Sequence, residues 1–380
     1  MKIKIIGRHW AVVKNFMKRT SVAKRLDYVD IARLYGIFLV YYGHVVERFM
    51  YLKVDAAVLQ YKFIYSFHMV LFFFLSGMVI SEKTLNLSFG NFIKKKLKTR
   101  LVPYLFFNFI LLILSLFIQR DFPPFPLETT QDYFRTIGFT LIGVSIFNIP
   151  TWFIMALFSV ELIHYVLNRF YKNSYARKLI FIIGFYFAGY YLNLNIQFIS
   201  FEKIIGINYW LFHEAIIMFS FYLLGSMAVK CKYITDVNFN KTIASILIGV
   251  LVIYFTYNLN QGPFRYLEAV VILLSGHGHI FWFAFTAIVG CLTMVMLGKL
   301  SIKYKYLSFL GKNIITIYCF NGIFYHSFNG PFASFMLSSM PMNYFNLTFV
   351  STVFSLLTMS LAIPFVYLFN KHCPQLIGKK

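Results

Sequence analysis

The chain has 380 residues, of which 59% are hydrophobic and 21% aromatic while only 13% are charged; a water-soluble domain has no means of burying that proportion of apolar surface. Its 36 Lys and Arg outnumber 13 Asp and Glu, for a formal net charge of +23. In a soluble chain such an excess points to nucleic acid, but here the cations fall in short segments between apolar runs, so no nucleic-acid partner is expected and the bilayer is the expected solvent.

Residues 1–28 carry eight Lys/Arg and no small-residue cleavage site, which reads as a retained basic cytoplasmic arm rather than a signal peptide. Apolar runs approaching the ~20 residues needed to cross ~30 Å of hydrocarbon then follow at 31–46, 63–80, 101–118, 152–167 and 179–194. Five more lie at 210–229, 243–257, 280–297, 314–328 and 345–369. The chain is therefore expected to be all-α, a polytopic bundle of about ten transmembrane helices over residues 29–370, with a cytoplasmic tail at 371–380. Segments 137–147 and 266–274 are apolar but too short to cross, and are expected as interfacial or re-entrant pieces.

Segments 1–28, 83–100, 169–178, 230–241, 298–312 and 370–380 hold 28 of the 36 Lys/Arg, and the intervening loops hold seven. This bias predicts both termini in the cytoplasm and a multi-pass protein of the cytoplasmic membrane. Cys231, Cys291, Cys319 and Cys373 lie far apart, so neither a disulfide framework nor a metal site is expected.

An ionisable side chain inside the bilayer costs at least ~2.5 kcal/mol, so Arg33, His44, His68, Glu161, His164, His213 and Glu214 each need a reason to be there. Arg33 and His44 stand eleven residues apart, three helical turns, and so project from one face about 16 Å apart along the axis. A guanidinium suits phosphate or carboxylate recognition. An imidazole takes a proton from a hydroxyl or accepts an acyl group. The plainer readings are an interfacial Arg33 paired with Asp30 and a His44 that serves helix packing.

Asp30-Ile-Ala-Arg33 followed by His44, then Phe67-His68-Met-Val-Leu-Phe-Phe-Phe-Leu-Ser76-Gly77, resembles the acyltransferase 3 family of integral-membrane O-acyltransferases. The likeness continues through Phe92 to Lys96, Arg100 to Tyr104 with Pro103, Pro150-Thr-Trp152-Phe153, and Gly311 to Tyr318. The basic loop is mostly lysine where the family often has arginine, and Asn321 stands where a histidine is common.

The resemblance implies transfer of an acyl group, usually acetyl, from acyl-CoA to a hydroxyl of a cell-surface glycan or its lipid-linked saccharide precursor. Membrane lipid surrounds the enzyme, acetyl-CoA is a donor substrate, and no cofactor is tightly bound. On that reading His44 is the base or a transient acyl carrier and Arg33 orients the donor. Lys94, Lys95, Lys96, Lys98, Arg100 and Ser76 meet acetyl-CoA, while His68 and Trp152 meet the acceptor. A channel lined by Arg33, Ser76, His68 and His44 is expected to join the two faces.

Each assignment has a plainer counterpart. The lysines also read as a topology signal touching anionic lipid, His68 as a packing residue and Trp152 as an interfacial anchor. Glu161 and His164, one turn apart, are expected to pair. His213, Glu214, His277 and His279 receive no role. The rival function is a transporter or flippase for a lipid-linked sugar, disfavoured because no paired interrupted helices are visible in two halves.

Overall fold

The structure is a computed structural model that describes residues 26–121, 127–195, 208–231, 234, 238–260 and 269–379. The basic arm at 1–25 and residues 266–268 of the second short apolar segment lie outside these. Among the described residues the regular elements are helical, with one isolated bridge between Val271 and Gly276. The first helices are α1 (Asp27–Tyr51), α2 (Asp55–Tyr65), α3 (His68–Met78), α4 (Phe89–Lys96), α5 (Val102–Leu114), α6 (Thr130–Leu141) and α7 (Trp152–Tyr171). There follow α8 (Tyr175–Asn195), α9 (Phe212–Ala228), α10 (Phe239–Thr256), α11 (Ile280–Leu300), α12 (Lys305–Lys312), α13 (Ile314–Ser327), α14 (Asn329–Ser339) and α15 (Tyr344–His372).

Among the described residues, eight segments are long and apolar enough to cross a membrane: Asp27–Tyr51, Asp55–Met78, Phe89–Leu114, Ile149–Tyr171, Tyr209–Ala228, Phe239–Leu259, Ile280–Leu300 and Tyr344–His372. The α12 and α13 pair, bent by 71°, makes a ninth when counted as one span. The run at 179–194 does form a helix, α8, of 21 residues. It is not among the eight, because Arg177 and Lys178 at its start and Asn193 and Asn195 at its end dilute its apolarity.

Two predicted runs meet a break, the first inside the run and the second just ahead of it. The first, 63–80, breaks at Ser66 and Phe67, where Phe67 has φ −146° and ψ −23°, and α3 restarts at His68. The second, 314–328, is continuous as α13 and follows the bend at Asn313, whose side-chain amide donates to Phe309 O at 2.8 Å and so satisfies a carbonyl freed by the break.

Helix α1 is the centre of the bundle. It packs against α2, α3, α11, α12, α13, α14 and α15, and its buried strip runs from Val29 and Ala32 through Val40 and Tyr41 to Val46 and Phe49. Asp27 and Asp30 in its first turn complement the positive end of the helix dipole. At the periphery, α10 and α15 expose Leu251, Phe255, Phe349 and Leu357, side chains for which lipid is the packing partner.

Close helix approach rests on small residues. A Cβ at Gly77 would overlap Tyr222 O and one at Gly225 would overlap Phe74 O, so α3 and α9 meet backbone to backbone. The Ser76-Gly77 pair thus has a packing role alongside any chemistry.

The basic segments gather at one end. Around the start of α1, Lys312 pairs with Asp27 at 2.8 Å, Gly311 lies on Asp30 O, Gly378 lies on Thr99, and Tyr165 donates to Leu87 O at 2.7 Å. At the opposite end Arg48 donates to Asp121 O at 2.7 Å, Arg120 bonds His326 at 3.0 Å, and Ser275 donates to Glu214 at 2.6 Å. Segment 137–147 is the end of α6 followed by a turn through Gly143 at φ +94°, and 269–279 is a tight reversal closed by the Val271 and Gly276 bonds. Both lie at this end.

Candidate active site

Two separate cavities flank the middle of α1. At the opposite end a cavity of about 270 Å³ is lined by His44, Glu47, Tyr65, His68, Trp152 and Tyr325 among others, with Val270 to Leu274 across one side. His44 is half-buried and presents an edge to this space. Its Nδ1 lies 2.5 Å from Asn321 Oδ1. An amide oxygen only accepts, so Nδ1 carries the proton and Nε2 is the unprotonated nitrogen. That nitrogen makes no hydrogen bond among the described residues.

His68 is the first residue of α3, placed there by the break in the span. Its Nδ1 donates to Ile64 O at 3.0 Å, leaving Nε2 as the acceptor. The His44 ring packs on Tyr325 at 4.4 Å between centroids, and His68 packs on Tyr65 at 4.5 Å. Tyr65 in turn stacks on Tyr61 at 3.7 Å. Gly43 makes room for it: a Cβ there would come within 3.1 Å of the Tyr65 ring.

The wall bearing Trp152 is fixed by a polar net. The turn Ile149–Thr151 precedes α7, with Pro150 at a helical first-turn position where its missing N–H costs nothing. Asn108 donates to Thr151 Oγ1 at 3.0 Å and accepts from Asn148 N at 3.1 Å, and Asn148 donates to Cys319 O at 3.1 Å. Tyr318 donates to Pro150 O. The two sequence patterns around Pro150 and Tyr318 are thus halves of one joint, which sets α13, and with it Asn321 and Tyr325, against the cavity.

At the basic end, a cleft of about 150 Å³ is lined by Arg33, Ser76, Thr84, Lys96, Arg100 and Glu161 among others. Arg33 holds Asp30 at 3.1 Å and reaches Leu75 O at 3.4 Å. Arg100 grips Glu161 through two bonds, at 3.0 and 2.8 Å, and Lys96 joins the same carboxylate at 2.7 Å. Arg100 sits in a π-helical turn, Leu97–Leu101, immediately before Pro103. Proline lacks an N–H and its ring collides with the carbonyl four residues back, so the helix widens by one residue just ahead of it. That widening turns Arg100 toward α7. An adjoining chamber of about 340 Å³ carries Lys172, Lys178 and Lys230.

The structure brings His44, His68 and Trp152 into one cavity and Arg33, Ser76, Lys96 and Arg100 into another. The expected channel lined by Arg33, Ser76, His68 and His44 takes the form of two cavities among the described residues, with Phe72 against Gly36 of α1 and Phe72 and Phe73 packed on Phe153. Lys94 and Lys98 are exposed away from the cleft lining, and Lys95 donates to Thr84 Oγ1 at 2.6 Å. Glu161 and His164 do not pair. Glu161 is taken by Arg100 and Lys96, and His164 bonds Tyr171 at 2.6 Å. Glu214, given no role in sequence, is buried between Asn208 and Ser275 and anchors the reversal that lines the cavity.

Sequence reasoning passed over Glu47 and its tyrosines. Glu47 lies on the His44 face of α1, three residues on, and accepts from Tyr51 at 2.9 Å and from Tyr65 and Tyr325 at 3.3 Å each. The i, i+3 spacing from His44 was its available signal. No group of three or more potential metal ligands converges among the described residues.

A family model described as an acyltransferase domain matches residues 26–367. No curated protein and no solved structure matches the chain.

Proposed function

Because the chain belongs to the acyltransferase 3 family, and its helices make it a multi-pass membrane acyltransferase, we propose that it moves an acyl group, acetyl in the simplest case, from acyl-CoA to a hydroxyl of a cell-surface glycan or lipid-linked saccharide in the cytoplasmic membrane. The donor approaches the basic end from the cytoplasm, and the acceptor occupies the cavity at the opposite end.

The observation that carries this reading is the His44 arrangement: Nδ1 engaged by Asn321, Nε2 unbonded on a cavity lined by hydroxyl-binding groups. In the step proposed, Nε2 takes the proton from the acceptor hydroxyl as its oxygen attacks the acyl carbon. The carbon–sulfur bond breaks, an ester forms, and the proton passes to the departing thiolate. Arg33, held near Ser76 by Asp30 and Leu75 O, orients the donor through its planar fork of donors. Lys96 and Arg100, on the same cleft, add positive field for the donor's phosphates.

Interrupted spans at Ser66–Phe67 and Asn313 are also the architecture of substrate carriers, so a transporter or flippase of a lipid-linked sugar is the second reading. Incubating membranes that hold the protein with labelled acetyl-CoA and a candidate acceptor glycan separates them. Acyl transfer leaves alkali-labile label on the glycan, and a carrier leaves none.

A further inference from the structure

The cavity holds an acidic side chain that the transfer step does not use. Glu47 is 6% exposed and forms no salt bridge among the described residues. Its neighbour Arg48 directs Nη2 to the carbonyls of Asp121 and Tyr325 at 2.7 and 2.8 Å. Three phenols attend the carboxylate, each from a different helix: Tyr51 from α1, Tyr65 from α2 and Tyr325 from α13. Placing a carboxylate in a low-dielectric wall is costly unless donors are fixed around it. Here the donors are fixed by stacking of Tyr65 on Tyr61 and by packing of Tyr325 on His44.

We propose that Glu47 and its three tyrosines are the part of the cavity that reads the acceptor, accepting a hydrogen bond from a hydroxyl adjacent to the one acylated at His44. This inference rests on the acyl-transfer reading and narrows the acceptor to a ring or chain with neighbouring hydroxyls. The geometry has three parts. Glu47 and His44 are one turn apart on one face, where Cβ atoms lie roughly 5–6 Å apart, so their side chains converge on neighbouring positions of one ligand. A carboxylate offers about four lone-pair sites. The phenols of Tyr51 and Tyr325 both address Oε1, while Oε2 receives Tyr65 alone, leaving an acceptor position on Oε2. The rings of Tyr61, Tyr65 and Trp152 on the same walls offer apolar faces to the C–H face of a sugar.

The missing partner is a neutral donor rather than a counter-ion. Three charge-assisted phenol bonds already stabilise the carboxylate, and the Arg48 guanidinium lies 5.4 Å from the Tyr325 ring. A hydroxyl completes the set without adding a buried cation.

The test uses the full chain in neutral-lipid nanodiscs and reads binding by saturation-transfer NMR. The probes are methyl β-glucopyranoside, its four monodeoxy counterparts, and the methyl glycoside of glucosamine. The wild type is expected to bind the glucoside and to lose roughly 10-fold or more in affinity when one particular hydroxyl is removed, the scale of a hydrogen bond to a charged group. In Glu47→Gln the glucoside weakens by a similar factor and the discrimination disappears, while acetyl-CoA binding, followed in the same sample, stays within about 2-fold. Tyr65→Phe shifts discrimination in the same direction by less. Retained discrimination in a folded Glu47→Gln protein overturns the proposal, as does tighter binding of the amine glycoside or no binding of any glycoside. If the wild type also fails to bind acetyl-CoA, the acyl-transfer reading itself falls.

Discussion

At the residue scale the chemistry depends on which imidazole nitrogen is left bare. Asn321 stands where a histidine is common in the family, and its carbonyl oxygen selects the tautomer with Nε2 unprotonated. His44→Ala is expected to lower turnover by ~10²-fold or more, the usual scale for a positioned general base. Asn321→Leu leaves the imidazole in place but frees its tautomer and rotation. It is expected to cut turnover with little change in donor or acceptor KM, a split that a packing defect does not produce. Arg33→Lys is damaging because a point charge cannot span both Asp30 and Leu75 O, and its loss combines less than additively with His44→Ala if both act in one step. Initial rates of acyl transfer in reconstituted membranes measure all four proteins. An active His44→Ala enzyme refutes the assignment.

At the element scale two devices carry predictions. The widened turn before Pro103 delivers Arg100 to Glu161, so the cations of this loop divide into two kinds. Neutralising Lys94, Lys95 and Lys98 together is expected to leave the donor's KM unchanged, whereas Lys96→Gln with Arg100→Gln raises it. An unchanged KM in both correctly inserted variants returns the loop to a pure topology signal. Gly225→Ala forces a methyl against Phe74 O and is expected to cost on the order of 1–3 kcal/mol through overpacking, read as a lowered unfolding temperature in detergent. The Arg33 and His44 strip was legible in the sequence because helical periodicity is local, and so were the long apolar helices. The breaks at Ser66–Phe67 and Asn313 were not, since the apolar run is uninterrupted through one and hydropathy is blind to φ and ψ at both. Glu161 was assigned the wrong partner because Arg100 lies 61 residues away, beyond any local pattern. Glu47 was missed for the same reason: two of its phenols arrive from other helices, one of them 278 residues on.

At the scale of the whole molecule, the gathering of basic segments at one end supports a uniform orientation. Reporters after Lys380 and near Lys172 are expected on the cytoplasmic side and one near Pro124 outside; an external C-terminal reporter refutes the expectation of both termini on the cytoplasmic side. The central place of α1 has a consequence for how the protein is made. Among the described residues seven later helices pack against α1, and its polar residues are completed by groups some 277 residues downstream: Asn321 for His44 and Tyr325 O for Arg48. At roughly 5–20 residues per second, α1 waits in the bilayer for tens of seconds with Glu47 and Arg48 lacking their α13 partners. A chain that stops short of α13 never receives those partners, so truncation there leaves the polar side of α1 without Asn321 and Tyr325.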